Sequence, residues 1–273
     1  MSVQDEQIPV IEKIEESKLP EPVEEGEIQI LSKDFFDIQL AFAKKSLQLA
    51  EQSKIPVNLD YVLSEGTNIR RKLDLYGDAH QEDWQKLLSS VENLPRDEML
   101  HLIYSSYKDS QKKPEESEKH KYYGCFWYDI TPGNEIFLHF ANREKAGTSP
   151  LDDSRLQNRR DELKNMFKDI SINHSEVTTV TSKSWTYNLP KFNRMFPEEY
   201  TQNAHEVKTG LSRFDYWGQF LERNGNVRQE SRDSFLKKLN EAKSMEDLIE
   251  CFPLHPKVPK CDIKYFYKNL EIE

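Results

Sequence analysis

The sequence is poor in the features that usually reveal a protein's chemistry. It has three cysteines, Cys125, Cys251 and Cys261, with no CxxC spacing. An odd count without such spacing argues against a disulfide framework or a cysteine metal site, and suits buried thiols in a reducing compartment. No apolar run approaches the ~20 residues that a membrane helix needs. The N-terminus is acidic, whereas an export signal is basic and then apolar. These absences predict a cytoplasmic protein with no membrane partner. Positive charge is scarce too. The net charge is −10, and residues 1–27 hold nine acidic residues against Lys13 and Lys18, or −7, which leaves −3 for the rest. A nearly neutral body lacks the basic face that duplex binding requires, so no nucleic-acid partner is expected.

Catalytic signatures are also missing: there is no GxxxxGKS/T, GxGxxG, HExxH or GxSxG. The seven histidines are scattered, without an i, i+4 pair or a Cys/His cluster, so no metal is expected. What the chain does contain is aromatic side chains and charge. Charged residues make up 32%, above the usual ~25%, and apolar residues only 36%. The 14 Phe, 12 Tyr and 4 Trp nevertheless supply enough large rings for a sizeable core.

Residues 1–31 read as a disordered acidic tail, because Pro9, Pro20 and Pro22 interrupt a glutamate-rich stretch without aromatics. Ile8, Val10, Ile11 and Ile14 leave room in it for a helix formed on a partner. Ser32 is a good N-cap for a helix over 33–52, where Phe36, Leu40, Ala43, Leu47 and Ala50 recur at helical spacing. Further helices are expected over 58–75 (weakened by Gly66), 80–94 and 95–107, so residues 32–107 form a helical N-terminal unit. Residues 108–121 are polar, contain Pro114, and read as a linker or exposed loop.

From residue 122 the period shortens. Residues 122–130 and 135–143 form a predicted β-hairpin around Thr131-Pro132-Gly133-Asn134. Ser149-Pro150 opens a helix reaching Phe167, 176–181 is a strand, and 189–196 a short helix. Residues 205–214 and 216–222 read as strands, with Val227 pairing back across Asn224-Gly225. Residues 231–242 and 244–251 read as helices, and 263–267 as a closing strand. The expected class is α+β: a helical N-terminal unit, then a mixed, mainly antiparallel sheet flanked by helices over 122–273.

Three groups of residues have functional potential. Gly147, Thr148 and Ser149 precede the helix begun at Pro150, and Arg155 and Arg159 share its face, with Arg160 beside them. A helix start and two guanidinium groups suit an anion. The alternative is a capped surface helix, since Ser149 and Asp152 resemble a capping box and Asp152 and Asp153 would repel an anion. Ser184, Trp185 and Tyr187 follow a strand and suit a substrate cleft, with Tyr187 as a general acid. Trp185 equally suits a core anchor. His139 suits a general base, or a solvent-facing strand histidine. The rings Phe214, Tyr216, Trp217 and Phe220 suit base stacking less well than core packing, for lack of interleaved basic residues.

The blocks Ser184-Trp185-Thr186-Tyr187-Asn188, Phe196-Pro197 and Trp217-Gly218-Gln219-Phe220-Leu221 look like family signature blocks, and the chain as a whole looks like a bacterial protein. The order of elements from Tyr122 to Phe214 resembles the GNAT acyltransferase fold. That resemblance implies an acyl-CoA cofactor, whose pyrophosphate is held by the loop and helix after a strand through a Gln/Arg-x-x-Gly-x-Gly/Ala motif. Here Lys145-Ala146-Gly147-Thr148-Ser149 stands in its place, without the glycine pair. It further implies acyl transfer to an unknown acceptor, with the thioester between splayed strands 136–143 and 177–181. His139 or a water would deprotonate the acceptor amine, and Tyr187 would protonate the thiolate. Two alternatives stand beside it. One is a non-catalytic interaction protein that holds a partner through the acidic tail or the helical unit. The other is a nucleotide- or phosphate-handling enzyme of another fold.

Overall fold

Helix α1, Lys33–Gln52, forms the axis of the N-terminal half, because apolar side chains leave it on nearly every side. Phe35, Phe36, Ile38, Leu40, Phe42, Ala43 and Leu49 are all buried. Ser32 holds the N-cap position in extended backbone, but its hydroxyl makes no cap bond. The computed structural model describes residues 30–111, 120–145, 147–207 and 215–272. Almost all of the expected tail, most of the expected linker and residues 208–214 of an expected strand lie outside the described residues.

The single helix expected over 58–75 is broken into three pieces. Asn58 caps α2, Leu59–Tyr61, by accepting from Tyr61 N at 2.8 Å. A π-turn, Val62–Gly66, follows, and then α3, Ile69–Lys72. Gly66 ends the π-turn, and Thr67 turns back to donate to the Leu63 carbonyl. Helices α4, Gln81–Val91, and α5, Arg96–Ser110, complete the set before the sheet.

Strands β1, Phe126–Thr131, and β2, Glu135–Phe140, form the hairpin expected from its turn residues. Gly133 and Asn134 adopt φ of 94° and 59°, the left-handed region these residue types tolerate. Helix α6, Leu156–Asn173, crosses to β3, Thr179–Thr181, which pairs parallel with β2. After β3 come α7, Pro190–Asn193, α8, Glu198–Gln202, and the two-residue strand β4, His205–Glu206. Helix α9, Gln229–Glu241, precedes β5, Lys257–Val258, which pairs with β4. Strand β6, Lys260–Asp262, pairs antiparallel with β3, and α10, Lys264–Leu270, ends the described fold. The main sheet therefore runs β1-β2-β3-β6, a mixed sheet in an α+β protein.

Several expected elements differ. Residues 216–222 are not a strand; Trp217–Phe220 is a 3₁₀ turn that buries Trp217 and Phe220 together, although Val227 does bridge back to Leu221. Residues 263–267 are not a strand; Ile263 holds the N-cap position of α10 and residues 264–267 lie in it. Asp262 accepts the Lys264 N–H at 2.9 Å, and Ile263, Phe266 and Leu270 are buried at helical spacing. Residues 244–251 form turns held by Asp247, which accepts from Lys243 N and Ser244 N.

The buried residues fall into two clusters. The first gathers α1, α4 and α5 with Tyr216, Trp217, Phe220, Phe235, Leu239, Leu248 and Phe252. Phe42 on α1 lies at its centre, with ring centroids 5.5 Å from Trp217 and 5.6 Å from Phe252. The second packs the inner sheet face, Phe126, Ile136, Leu138 and Val180, against Leu163, Met166, Phe167 and Ile170 of α6. The chain thus contributes to the first cluster, builds most of the second, returns to the first over 216–252, and ends in the second.

Candidate functional site

Because strand side chains alternate, Ile136 and Leu138 face α6 while Phe137 and His139 project from the opposite side of the sheet. The hairpin register sets Trp127 directly across from His139, and Asp129 across from Phe137. The His139 ring stacks on Trp127, with centroids 4.8 Å apart and planes 5° from parallel. Phe137 closes another side at 4.9 Å. His139 Nε2 lies 2.8 Å from Asp129 Oδ2, and His120 Nδ1 lies 3.7 Å from the other oxygen of that carboxylate. Tyr122 packs on Trp127 at 5.1 Å and carries the Arg143 guanidinium 3.9 Å above its ring.

This arrangement defines the state of the imidazole. Burial pushes the His139 pKa below its ordinary value, as do His120 and Arg71, and Asp129 only partly restores it. The ring is therefore neutral at pH 7. A carboxylate only accepts, so Nε2 carries the proton that Asp129 receives, and Nδ1 keeps the lone pair. His139 is 28% exposed, enough for a small molecule to approach from the open face. It also lies beyond the point where β2 and β3 part. Their parallel pairing ends at Phe137 with Thr181, and the chain after β3 turns so that Ser184 bridges Lys257 instead.

The other expected site residues are arranged differently. Helix α6 does not open at Pro150. Ser149 closes a turn by accepting from Leu151 N at 3.2 Å, a 3₁₀ turn follows at Asp153–Arg155, and the α-helix begins at Leu156 with Arg155 in its N-cap position. Arg159 is buried and paired to Glu144 at 2.8 Å and Glu162 at 2.6 Å, with its guanidinium against Cys125 Sγ. Arg155 lies 3.8 Å from the same Glu144, and Arg160 donates to the Asn269 carbonyl. Asp152 holds Arg223, and Asp153 holds Arg194 and Lys191. No described contact joins Arg155 or Arg159 to Gly147, Thr148 or Ser149. Carboxylates of the protein itself occupy the cations expected to receive an anion.

Ser184 accepts from Thr186 N and Thr186 Oγ1, which fixes the Trp185–Asn188 turn. Trp185 is half-buried against Gly218, where an added Cβ would meet its Nε1 at 3.6 Å, so the two tryptophan-bearing blocks of the sequence touch. Tyr187 is enclosed in the second core, its hydroxyl 3.3 Å from that of Tyr200, and burial pushes its pKa up to about 12. It thus lies on the inner side of the sheet and His139 on the outer side. Burial likewise raises Cys125 and Cys251 to about 11 and Cys261 to about 12, so all three remain thiols at neutral pH. Among the described residues no group of three or more His, Cys, Asp or Glu is placed to hold a metal, and no helix is long and apolar enough to cross a membrane.

Sequence reasoning missed Asp129 and His120. Asp129 was within reach, since the turn at 131–134 fixes a register that sets it diagonal to His139. Compared with protein-family models, curated proteins and solved structures, the chain has no match.

Proposed function

We propose that this chain is an acyltransferase-like protein in which His139, oriented by Asp129, takes the proton from the acceptor nucleophile. The observation that carries this reading is the 2.8 Å pair between Asp129 of β1 and His139 of β2, the strand that parts from β3. A neutral imidazole with its remaining lone pair on Nδ1 is the form a general base needs, and a carboxylate on the other nitrogen steadies the imidazolium that forms. The stack on Trp127 fixes the ring plane, so little reorganisation accompanies proton transfer. The acceptor approaches from the outer sheet face, with the aromatic wall of Trp127 and Phe137 excluding water on either side.

The residues do not fit an acyl-CoA pyrophosphate at Gly147, Thr148 and Ser149. Arg155 and Arg159 are committed to Glu144, and Ser149 makes a turn short of the helix. Tyr187 is enclosed on the other side of the sheet, away from His139. The test uses two acyl donors, acetyl-CoA and p-nitrophenyl acetate, each with a panel of primary amines. Acylation of an amine that falls with His139→Ala supports the reading. If neither donor gives acylation dependent on His139, the reading fails.

A further inference from the structure

Helices α4 and α5 enclose between them a surface groove of about 540 Å³, outside the sheet and remote in sequence from His139. Its lining is Ser90, Leu94, Asp97, Glu98, His101 and Leu102. Leu102 is 38% exposed, one of the few large apolar side chains left open by the fold. The other apolar residues of these helices, Trp84, Leu88, Val91, Leu100 and Ile103, point into the first core. Exposed Leu102 and half-buried Leu94 therefore leave an apolar floor in the groove.

The charge along this groove has one sign. Neither Asp97 nor Glu98 has an ion-pair partner among the described residues. Their neighbours do: Glu82 and Asp83 share Lys86, and Arg96 is bound to Asp37 at 2.5 Å. Two first-turn acids suit the amino end of α5. That preference accounts for their sign but not for the exposed leucine floor beside them. The chain's own residues 1–27, with nine acidic residues against two lysines, have the wrong charge to occupy the groove.

We propose that the α4–α5 groove docks a basic amphipathic helix of a protein partner. Apolar side chains one turn apart would rest on Leu94 and Leu102, and Lys or Arg beside them would meet Asp97 and Glu98, the helix-in-groove mode of recognition. The small contact area sets the affinity at the weak, transient end of the scale. Because neither the site nor the readout involves His139, this proposal stands or falls separately from the acyltransferase reading.

The test is fluorescence anisotropy of the full chain with three labelled model peptides. One is an amphipathic Leu/Lys helix, the second carries Glu for each Lys, and the third has the first peptide's composition with the apolar stripe scrambled. Only the first should bind, with affinity falling as salt rises. Leu102→Ser, and separately Asp97→Asn with Glu98→Gln, should each weaken it at least about tenfold. All these side chains are exposed, and an unchanged melting temperature confirms that the variants fold. Equal binding of the scrambled peptide, binding unaffected by both variants, or no binding of the first peptide would overturn the proposal.

Discussion

The indole N–H of Trp217 donates to the carbonyl of Gly66 at 3.0 Å, joining residues 151 positions apart in the buried first core. Gly66 ends the π-turn, where the helical ladder is interrupted and a carbonyl is left to be satisfied from outside. Trp217→Phe keeps a ring in the core and removes the donor. The buried carbonyl then goes unpaired, at an expected cost of about 1–3 kcal/mol plus that of the smaller ring. Urea denaturation checks this: the midpoint should fall while the slope stays constant. An unchanged midpoint would mean the bond contributes nothing.

His139 and Asp129 predict a pH signature. Burial holds the His139 pKa below its ordinary value, and Asp129 pulls it upward. Asp129→Asn should therefore shift the acid limb of kcat/KM to lower pH and reduce kcat, because the imidazolium loses its partner. His139→Ala should reduce turnover by about 10²–10⁴-fold, the usual range for a general base. The depressed value also affects stability. Its contribution is present above about pH 6.5 and is lost as pH falls through the folded-state value. An acid limb unmoved by Asp129→Asn would remove Asp129 from the mechanism.

Arg159 distinguishes a structural cation from a ligand-binding one. Arg159→Leu would leave Glu144 and Glu162 without their buried partner, for which about 3–5 kcal/mol of destabilisation is expected. A guanidinium reserved for a substrate anion would instead be lost with little change in melting temperature. Gly124→Ala probes the same corner. Its φ is +61°, and a Cβ there would sit 2.0 Å from the Glu162 carboxylate, so this substitution should also destabilise.

Asp60 predicts a separate acid-sensitive contact. Its carboxylate accepts from Trp84 Nε1 at 2.7 Å, Gln85 Nε2 at 3.0 Å and Ser64 Oγ at 3.1 Å. Burial alone would raise its pKa, but these three donors and Arg70 together lower it. The resulting stability is present above about pH 3.9 and is lost as pH falls through the folded-state value. Asp60→Ala should orphan the buried Trp84 donor and flatten the acid limb of the stability profile. Equal acid sensitivity in both proteins would locate that limb elsewhere.

The hairpin was legible because its turn residues and its alternation agree. Pro132-Gly133-Asn134 fits one connection only, and Ile136, Leu138 and Phe140 mark one face. The expected strands at 216–222 and 263–267 went wrong for one shared reason. Aromatic richness suggested sheet, while the spacing of Trp217 with Phe220, and of Ile263 with Phe266 and Leu270, was already helical. The role of Arg159 was hidden in a different way. Glu162 at i+3 was visible, but Glu144 follows β2 and meets Arg159 only through the tertiary fold, which no local pattern encodes. At the candidate site, His139 was readable as a strand residue, whereas its pairing with Asp129 required the register.

The first core draws its rings from both ends of the sequence: Phe36 and Phe42 near the beginning, Phe235 and Phe252 near the end. A chain emerging from the ribosome exposes α1 long before Trp217 or Phe252 exists to cover it. Phe36 can pack early on Tyr104 and Tyr107, but Phe42 stays sticky surface until then, and the second core has most of its parts first. Folding in the cell should therefore begin in the middle of the molecule, with the oldest helix among the last to be sealed.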